Sequence, residues 1–299
     1  LMQSVGRNPD TIAYDYLDYQ SSYATFAADI DRCARALAAL GLKPGATMTI
    51  ALPTTPQGII AFYAVNKIGA VASMIHPLST AKEIAFYLNI SKSRMALIME
   101  EHLDKFRQAA KEATLETIIT TGLNDTLDEA DGKPLPPPHT DQSVHHWRNI
   151  MAENYPPVAP STMGPDDLAV ILYSGGTTGR PKGIMLSNYN FITEGLMTAA
   201  FRSLTHQDRH MVMVASLPIF HGFGLGICCN AMFMSGATSI LVPVFTPDIL
   251  AEIILKKKPT TISGVPTLYD ALSRSPILED ADLSCLLSAS VGADTLPRT

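Results

Sequence analysis

Charged side chains are missing from one long stretch: no Asp, Glu, Lys or Arg occurs between Met211 and Pro247. A membrane-spanning helix needs about 20 predominantly apolar residues in a row. Here Pro218, Gly222, Gly224, Gly226, Gly236 and Pro243 interrupt the run, dividing it into strand, loop, helix and strand. No transmembrane span is read, and apolar runs of this kind suit a parallel sheet covered on both faces. A basic excess is also missing. The formal net charge of -6 argues against a nucleic-acid backbone as partner. It leaves a nucleotide open, because one local loop can hold phosphate within an acidic protein. Cysteine is scarce, limited to Cys33, Cys228, Cys229 and Cys285, with no CxxC pair and no His/Cys cluster at zinc spacing. This pattern reads as buried or free thiols in a reducing cytoplasm, and no residue set is read as a metal site. The N-terminus carries no signal-peptide pattern and no Met at position 1. Residues 296–299 follow a glycine-containing turn without a closing element, so both ends read as cuts in a longer chain.

What is present is a regular alternation of short apolar runs and helical patterns. Hydrophobic residues make up 46% and charged residues 17% of 299 residues, a globular composition with room for one large α/β domain or two smaller ones. Residues 23–40 carry a helical stripe of Phe26, Ile30, Cys33, Leu37 and Leu40, ended by Gly41 where a left-handed residue is wanted. A strand over 47–52 follows, then a helix over 57–68 closed by Gly69 and a strand over 71–74. Next comes a helix over 80–90, with Thr80 and Glu83 in capping-box spacing. Strands over 95–99 and 117–121 flank a helix over 101–113. The alternation stops over residues 122–167, which are rich in Asp, Pro, His and Asn and read as a surface connection. His145 and His146 read there as part of a solvated loop. It resumes with a strand over 168–173, a helix over 188–202, and strands over 212–216 and 238–242 around a central helix. A helix over 247–258 ends in Lys256, Lys257 and Lys258. These complement the negative end of the helix dipole, with peripheral contact to an acidic membrane surface or a phosphate as the alternative. A strand over 260–263, a helix over 266–273 and a strand over 286–290 complete the pattern. Strands alternating with helices imply parallel, right-handed βαβ units. The expected organisation is a first α/β half over 1–123, a Pro-rich surface connection over 124–167 and a second α/β half over 168–299.

The chemistry concentrates in the run Tyr173-Ser174-Gly175-Gly176-Thr177-Thr178-Gly179-Arg180-Pro181-Lys182-Gly183. It follows an expected strand and precedes an expected helix. Its glycines let the backbone bend and approach a ligand closely, and backbone N–H groups in such a loop point toward an anion. Ser174, Thr177 and Thr178 add hydroxyls, and Lys182 adds a compact positive charge suited to phosphate. The run is not a Walker loop, which needs Gly before the Lys and Ser or Thr after it; here Pro181 and Gly183 flank Lys182. The physical reading is a polyphosphate cradle.

The run resembles the phosphate-binding signature of the adenylate-forming (AMP-binding) superfamily, Ser-Gly-Thr-Thr-Gly-x-Pro-Lys-Gly, with Gly175 where Ser or Thr is more usual. The likeness extends along the chain through the segments beginning at Asn8, Gly41, Leu52 and Lys67, and on to Leu217-Pro218-Ile219-Phe220-His221-Gly222-Phe223-Gly224 and Val265-Pro266-Thr267. Val291-Gly292-Ala293-Asp294-Thr295-Leu296 is similar to the family's adenine-lining segment, with Asp294 and Thr295 departing from the commonest residues. The resemblance implies an α/β fold of parallel and mixed sheets flanked by helices. It corresponds to the family's large N-terminal domain, incomplete at its C-terminal end and without the C-terminal lid domain.

The same resemblance implies an acyl-CoA synthetase activity. ATP activates a carboxylic acid, read as a fatty acid, to acyl-AMP, and coenzyme A then displaces AMP; magnesium accompanies ATP. Ser174, Gly175, Gly176, Thr177, Thr178, Gly179 and Lys182 would hold the phosphates, and Gly292, Ala293 and Asp294 the nucleotide. His221, Gly222, Phe223 and Gly224 would wall the acid, with Thr177, Lys182 and His221 as catalytic residues. The acid-free stretch 211–247 disfavours an amino-acid substrate, since a buried ammonium without a carboxylate is costly. Gly222, Gly224 and Gly226 leave room for an apolar chain, suggesting a fatty or aryl acid. The family's Tyr-Gly-x-Thr-Glu segment, ribose-binding Asp and C-terminal catalytic Lys have no counterpart in this sequence. This chain alone is therefore expected to be weakly active or inactive. The alternatives are transfer to a carrier-protein thiol and a non-catalytic nucleotide- or acyl-binding module.

Overall fold

The computed structural model describes residues 1–174, 181–205 and 209–295, with the side chains of 202–205 left aside. In chain order the elements begin with α1 (Met2–Arg7), β1 (Ile12–Tyr16), β2 (Tyr19–Ser22), α2 (Tyr23–Ala39) and β3 (Thr47–Ala51). Then come α3 (Pro56–Ile68), β4 (Val71–Met74), α4 (Ala81–Ser91), β5 (Met95–Met99), α5 (Leu103–Ala109) and β6 (Thr117–Thr121). The middle of the chain holds α6 (Asp125–Ala130), β7 (Val144–His146), α7 (Trp147–Ala152), β8 (Leu168–Ser174), β9 (Lys182–Ser187) and α8 (Asn188–Thr205). The rest comprises β10 (Val212–Ala215), a π-helical segment (Phe223–Asn230) running into α9 (Ala231–Ser235), β11 (Thr238–Leu241), α10 (Pro247–Lys257), β12 (Thr261–Gly264), α11 (Pro266–Ser273) and β13 (Ser288–Val291).

Two compact units form. The first comprises Leu1–Ala24, Thr193–Pro218 and Gly222–Thr299; the second comprises Thr25–Ile192 and Ile219–His221. The expected boundaries at 123 and 167 do not coincide with these units, because strand pairing joins segments far apart in sequence. The described strands form one sheet in each. The first unit has the order β13-β12-β10-β11-β1-β2, and the second β7-β6-β5-β3-β4-β8-β9.

In the second unit β3, β4, β5, β6, β7 and β8 run parallel. Burial on both faces explains their near-continuous apolar composition: Met95–Met99 is buried at every position. Ile84, Leu88, Ile98, Phe106 and Ile118 build a core on one face. The helices start and stop where local chemistry dictates. Thr55 accepts the Gly58 N–H at the start of α3, and Gly69 closes it at φ 84°. Thr80 and Glu83 form both bonds of a capping box at α4, satisfying backbone groups that the first turn would leave unpaired.

The segment read as a surface connection is partly built into this sheet. β7 pairs with β6 through Ile118↔Val144 and Thr120↔His146. His146 is therefore buried, not solvated, and its Nδ1 accepts the Arg148 N–H at 3.3 Å. Burial holds its titration below the ordinary histidine range, against the pull of Asp125 and Glu100. The Pro-rich run is tied down from α7: Arg148 donates to the Pro134 carbonyl at 2.9 Å and Asn149 to that of Pro136 at 3.1 Å. A strand of three residues between Pro-rich and polar segments leaves no periodic signal, which is why composition concealed it.

The first unit departs from a purely parallel arrangement. β1 pairs antiparallel with β2 and parallel with β11. Leu17 and Asp18, both at positive φ, make the two-residue turn, the backbone geometry of a type I′ hairpin. Val214, Ile240, Leu250, Ile254 and Ile262 centre the core between this sheet and α10 and α11. Two of the three terminal lysines of α10 are ion-paired. Lys256 meets Asp18 at 2.7 Å, and Lys257 bridges Asp15 at 2.8 Å and Asp18 at 2.5 Å. These two lysines therefore anchor the β1–β2 hairpin to α10. Hydrogen bonds from Lys256 and Lys257 lower the Asp18 carboxyl from 3.8 to about 2. A depressed carboxyl stabilises the fold above its unfolded value and loses that contribution as pH falls through the folded value. Asp18→Asn should therefore lower the urea midpoint at neutral pH, and the gap to the parent should shrink as pH drops from 3.8 toward about 2. A gap independent of pH would contradict this.

Candidate active site

β8 and β9 are antiparallel, with Tyr173↔Gly183 and Ser174↔Lys182 as the rungs next to the glycine-rich run. The run therefore closes a β-hairpin and does not pass directly into a helix: β9 stands between it and α8. β9 was hidden because it lies exposed along most of its length, so Ile184, Met185 and Leu186 show no in–out alternation. Gly175, Gly176, Thr177, Thr178 and Gly179 lie outside the described residues. Ser174 and Lys182 are both exposed and face each other across the hairpin's mouth. In open α/β sheets ligands gather beyond the carboxyl ends of parallel strands, and Ser174 ends β8 at that edge.

The hairpin's base is held by Tyr173. Its hydroxyl lies 2.9 Å from Ser73 Oγ on the neighbouring β4, and its ring stands 4.4 Å from that of Tyr87, centroid to centroid. Burial pushes its phenol up. A Cβ at Gly183 would lie 3.1 Å from Ile171 and 3.4 Å from the Tyr173 ring, so the aromatic covers the glycine across the strand pair. A side chain at this position of the signature would press on both neighbours.

The segment that follows β10 contributes to both units. Ile219–His221 belongs to the second, where Gly58 on α3 leaves space that Ile219 fills. Phe220 stands 4.4 Å from the His76 ring, and His221 is exposed. Gly222, Phe223 and Gly224 belong to the first unit. There the ring of Phe223 lies 3.1 Å from where a Cβ on Gly292 would stand. Two motifs separated in sequence, 222–224 and 292–294, thus meet. Ala293 adopts φ 70°, a left-handed conformation that costs a non-glycine residue about 1–2 kcal/mol. Asp294 is exposed and accepts the Thr295 N–H at 2.7 Å.

A family model described as AMP-binding enzyme matches residues 1–299. The chain belongs to the AMP-binding enzyme family. It is 28% identical over 308 residues to a long-chain-fatty-acid–CoA ligase of Bacillus subtilis, covering 99% of this chain and 55% of that enzyme. It is 27% identical to 4-coumarate–CoA ligase 1 of Petroselinum crispum, covering 89% of this chain and 46% of that enzyme. The chain thus spans about half the length of these curated relatives. Among solved structures, an anthranilate CoA ligase in complex with anthranoyl-AMP superposes with a TM-score of 0.86. The match covers 99% of this chain and 54% of that one at 20% identity, which establishes a shared fold. The mixed sheets flanked by helices are those of the AMP-binding N-terminal domain.

For an AMP-binding protein, two expectations about the acid pocket need correction. Gly224 does not open space for an acyl chain: a Cβ there would run into the carbonyls of Leu217 and Pro218. Gly226 does not face an apolar void either: its Cβ would lie 3.0 Å from Glu194 Oε2. The absence of acidic residues from 211–247 therefore does not leave this segment without a carboxylate, since α8 supplies one. Glu194 accepts from Thr198 Oγ1 at 3.3 Å, and its Oε2 is sealed from solvent. No spacing rule could reveal it, because the contact joins two helical segments far apart in sequence. His76, two residues beyond β4 at the sheet's carboxyl edge, lies outside every motif the sequence offers. Among the described residues, no group of three or more His, Cys, Asp or Glu side chains is arranged to hold a metal ion. No described helix is long and apolar enough to cross a membrane.

Overpacking against fixed backbone typically costs about 1–3 kcal/mol. Gly224→Ala should show a loss of that size in urea unfolding. Gly226→Ala, which meets a movable carboxylate, should lose less; the reverse ranking would refute this assignment.

Proposed function

We propose that this chain is the nucleotide-binding part of an enzyme that activates a carboxylic acid with ATP and transfers the acyl group to coenzyme A. The observation that carries the reading is the β8–β9 hairpin, in which register sets Lys182 opposite Ser174 at the carboxyl edge of a parallel sheet. Family membership supports the same reading. In the proposed reaction the acid's carboxylate attacks the α-phosphorus of ATP, pyrophosphate leaves, and the thiol of coenzyme A later displaces AMP. Negative charge on the phosphate oxygens grows during the first step. The Ser174 hydroxyl, the Lys182 ammonium and the hairpin's backbone N–H groups are assigned to stabilise it, with Thr177 and Thr178 in the same role. Donors fixed before the reaction need no reorganisation as charge develops.

This donor set of hydroxyl, ammonium and N–H suits phosphate oxygens, and magnesium accompanying ATP would neutralise phosphate charge there. His221 is assigned to the wall of the acid site. The relatives are named for a long-chain fatty acid and for 4-coumarate, so a fatty or an aryl acid is proposed.

Acid-dependent ATP–pyrophosphate exchange tests this reading. It should be run with a panel of short to long fatty acids and aryl acids, on the 299-residue chain and on the complete product of its gene. Exchange should require one acid class. Lys182→Ala should reduce it at least about 10-fold, the scale of one lost charge-assisted hydrogen bond. No exchange from the complete product with any acid would overturn the proposal.

A further inference from the structure

The carboxyl edge of the second unit's sheet carries a polar side chain that none of the assigned motifs contains. The last paired rung between β4 and β8 is Met74↔Leu172. Two residues beyond it stand His76 on one side and Ser174 on the other. His76 therefore leaves the sheet level with Ser174 of the glycine-rich run, on the adjoining strand. Its ring also packs against Phe220, centroids 4.4 Å apart and planes at 45°. Phe220 directly precedes His221, which is assigned to the acid site. His76 is thus flanked by the segment assigned to phosphate and the segment assigned to the acid.

The chemistry of the ring is set by a local bond. Leu78 donates its backbone N–H to His76 Nδ1 at 3.0 Å. Only an unprotonated Nδ1 can accept it, so the neutral ring carries its proton on Nε2. Pro77 and the turn bond from Ser79 N–H to the His76 carbonyl at 3.1 Å fix the backbone around it. Partial burial lowers the ring's titration, with Glu83 on α4 pulling the other way. The residue nonetheless remains exposed. A neutral imidazole is therefore held in one orientation with a single N–H donor left at its far edge. An ordinary turn-capping histidine needs only the Nδ1 bond, and an asparagine would supply that equally well.

We propose that His76 is a substrate-contacting residue whose Nε2–H donates to the carboxylate of the acid where it meets the α-phosphate of ATP. This inference rests on the adenylation reading above. The hydrogen bond orients the attacking carboxylate and strengthens as its oxygen joins the charged acyl phosphate. No proton leaves His76, and no covalent bond forms to it. The bond acts on the chemical step and leaves capture of ATP to the hairpin.

Two substitutions separate this role from turn capping. His76→Asn keeps a short acceptor for the Leu78 N–H but has no donor at the reach of Nε2. His76→Gln carries an amide donor out to that reach but surrenders the short acceptor. Exchange kinetics should be measured on the complete gene product, with thermal unfolding as a check on folding. His76→Asn should lower kcat about 10- to 100-fold, the scale of a hydrogen bond to a charged group. Its KM for ATP and its Tm should stay close to the parent's. His76→Gln should recover most of that loss in kcat despite a lower Tm. The opposite pattern, with Asn active and Gln impaired in step with its Tm, would reduce His76 to a turn cap and overturn the inference alone. Two variants as active as the parent would also overturn it. A parent with no exchange on any acid would remove the adenylation reading, and this inference with it.

Discussion

The antiparallel pairing of β9 with β8 is the constraint on which the proposed site depends. A parallel strand cannot follow its neighbour through a short loop, so the glycine-rich run has to turn the chain straight back along β8. That reversal sets Lys182 opposite Ser174 and fixes where the cation stands relative to the sheet's carboxyl edge. The reversal is held locally. Tyr173 covers Gly183 across the pair and reaches Ser73 on β4, tying the hairpin to a strand buried at every position. Ser174 and Lys182 are thereby tied to a buried strand of the second unit's sheet.

Legibility followed the strength of local physical signals. The strands over Val71–Met74, Met95–Met99 and Thr117–Thr121 and the helix over Pro266–Ser273 lie where the sequence places them. Gly69 precedes the first, Gly122 follows the third and Pro266 opens the helix, while Met95–Met99 is marked by its unbroken apolar run. The helix expected to end at Ala113 stops at Ala109, since nothing in its last turn forces continuation. The β1–β2 hairpin was not legible. Its turn is Leu17-Asp18, which lacks the Asn-Gly or Asp-Gly pattern that usually announces positive φ at both positions. β9 was not legible because an exposed strand has no buried face to impose alternation. Tertiary pairing decided both.

The candidate site was legible as motifs but not as geometry. The signature around Lys182 and the segments at 217–224 and 291–296 are visible in the sequence. The packing of Phe223 on Gly292 and the carboxylate of Glu194 over Gly226 are not. Glycines near a ligand segment invite the inference of empty space, yet two of them here are filled, one by backbone carbonyls and one by a carboxylate. The lesson is physical: a missing Cβ records close approach without saying what approaches. In Gly224 and Gly226 the neighbour is the protein itself.

The claim that the β8–β9 hairpin holds the nucleotide's phosphates is tested most directly by amide hydrogen exchange with and without magnesium and ATP. Bound phosphate should protect the amides of residues 173–183, because it accepts their N–H groups and steadies the hairpin. Amides of β12 and β13 in the other sheet should change little. Protection at 173–183 that disappears in Lys182→Ala would support the account. Nucleotide binding without any change over 173–183 would contradict it.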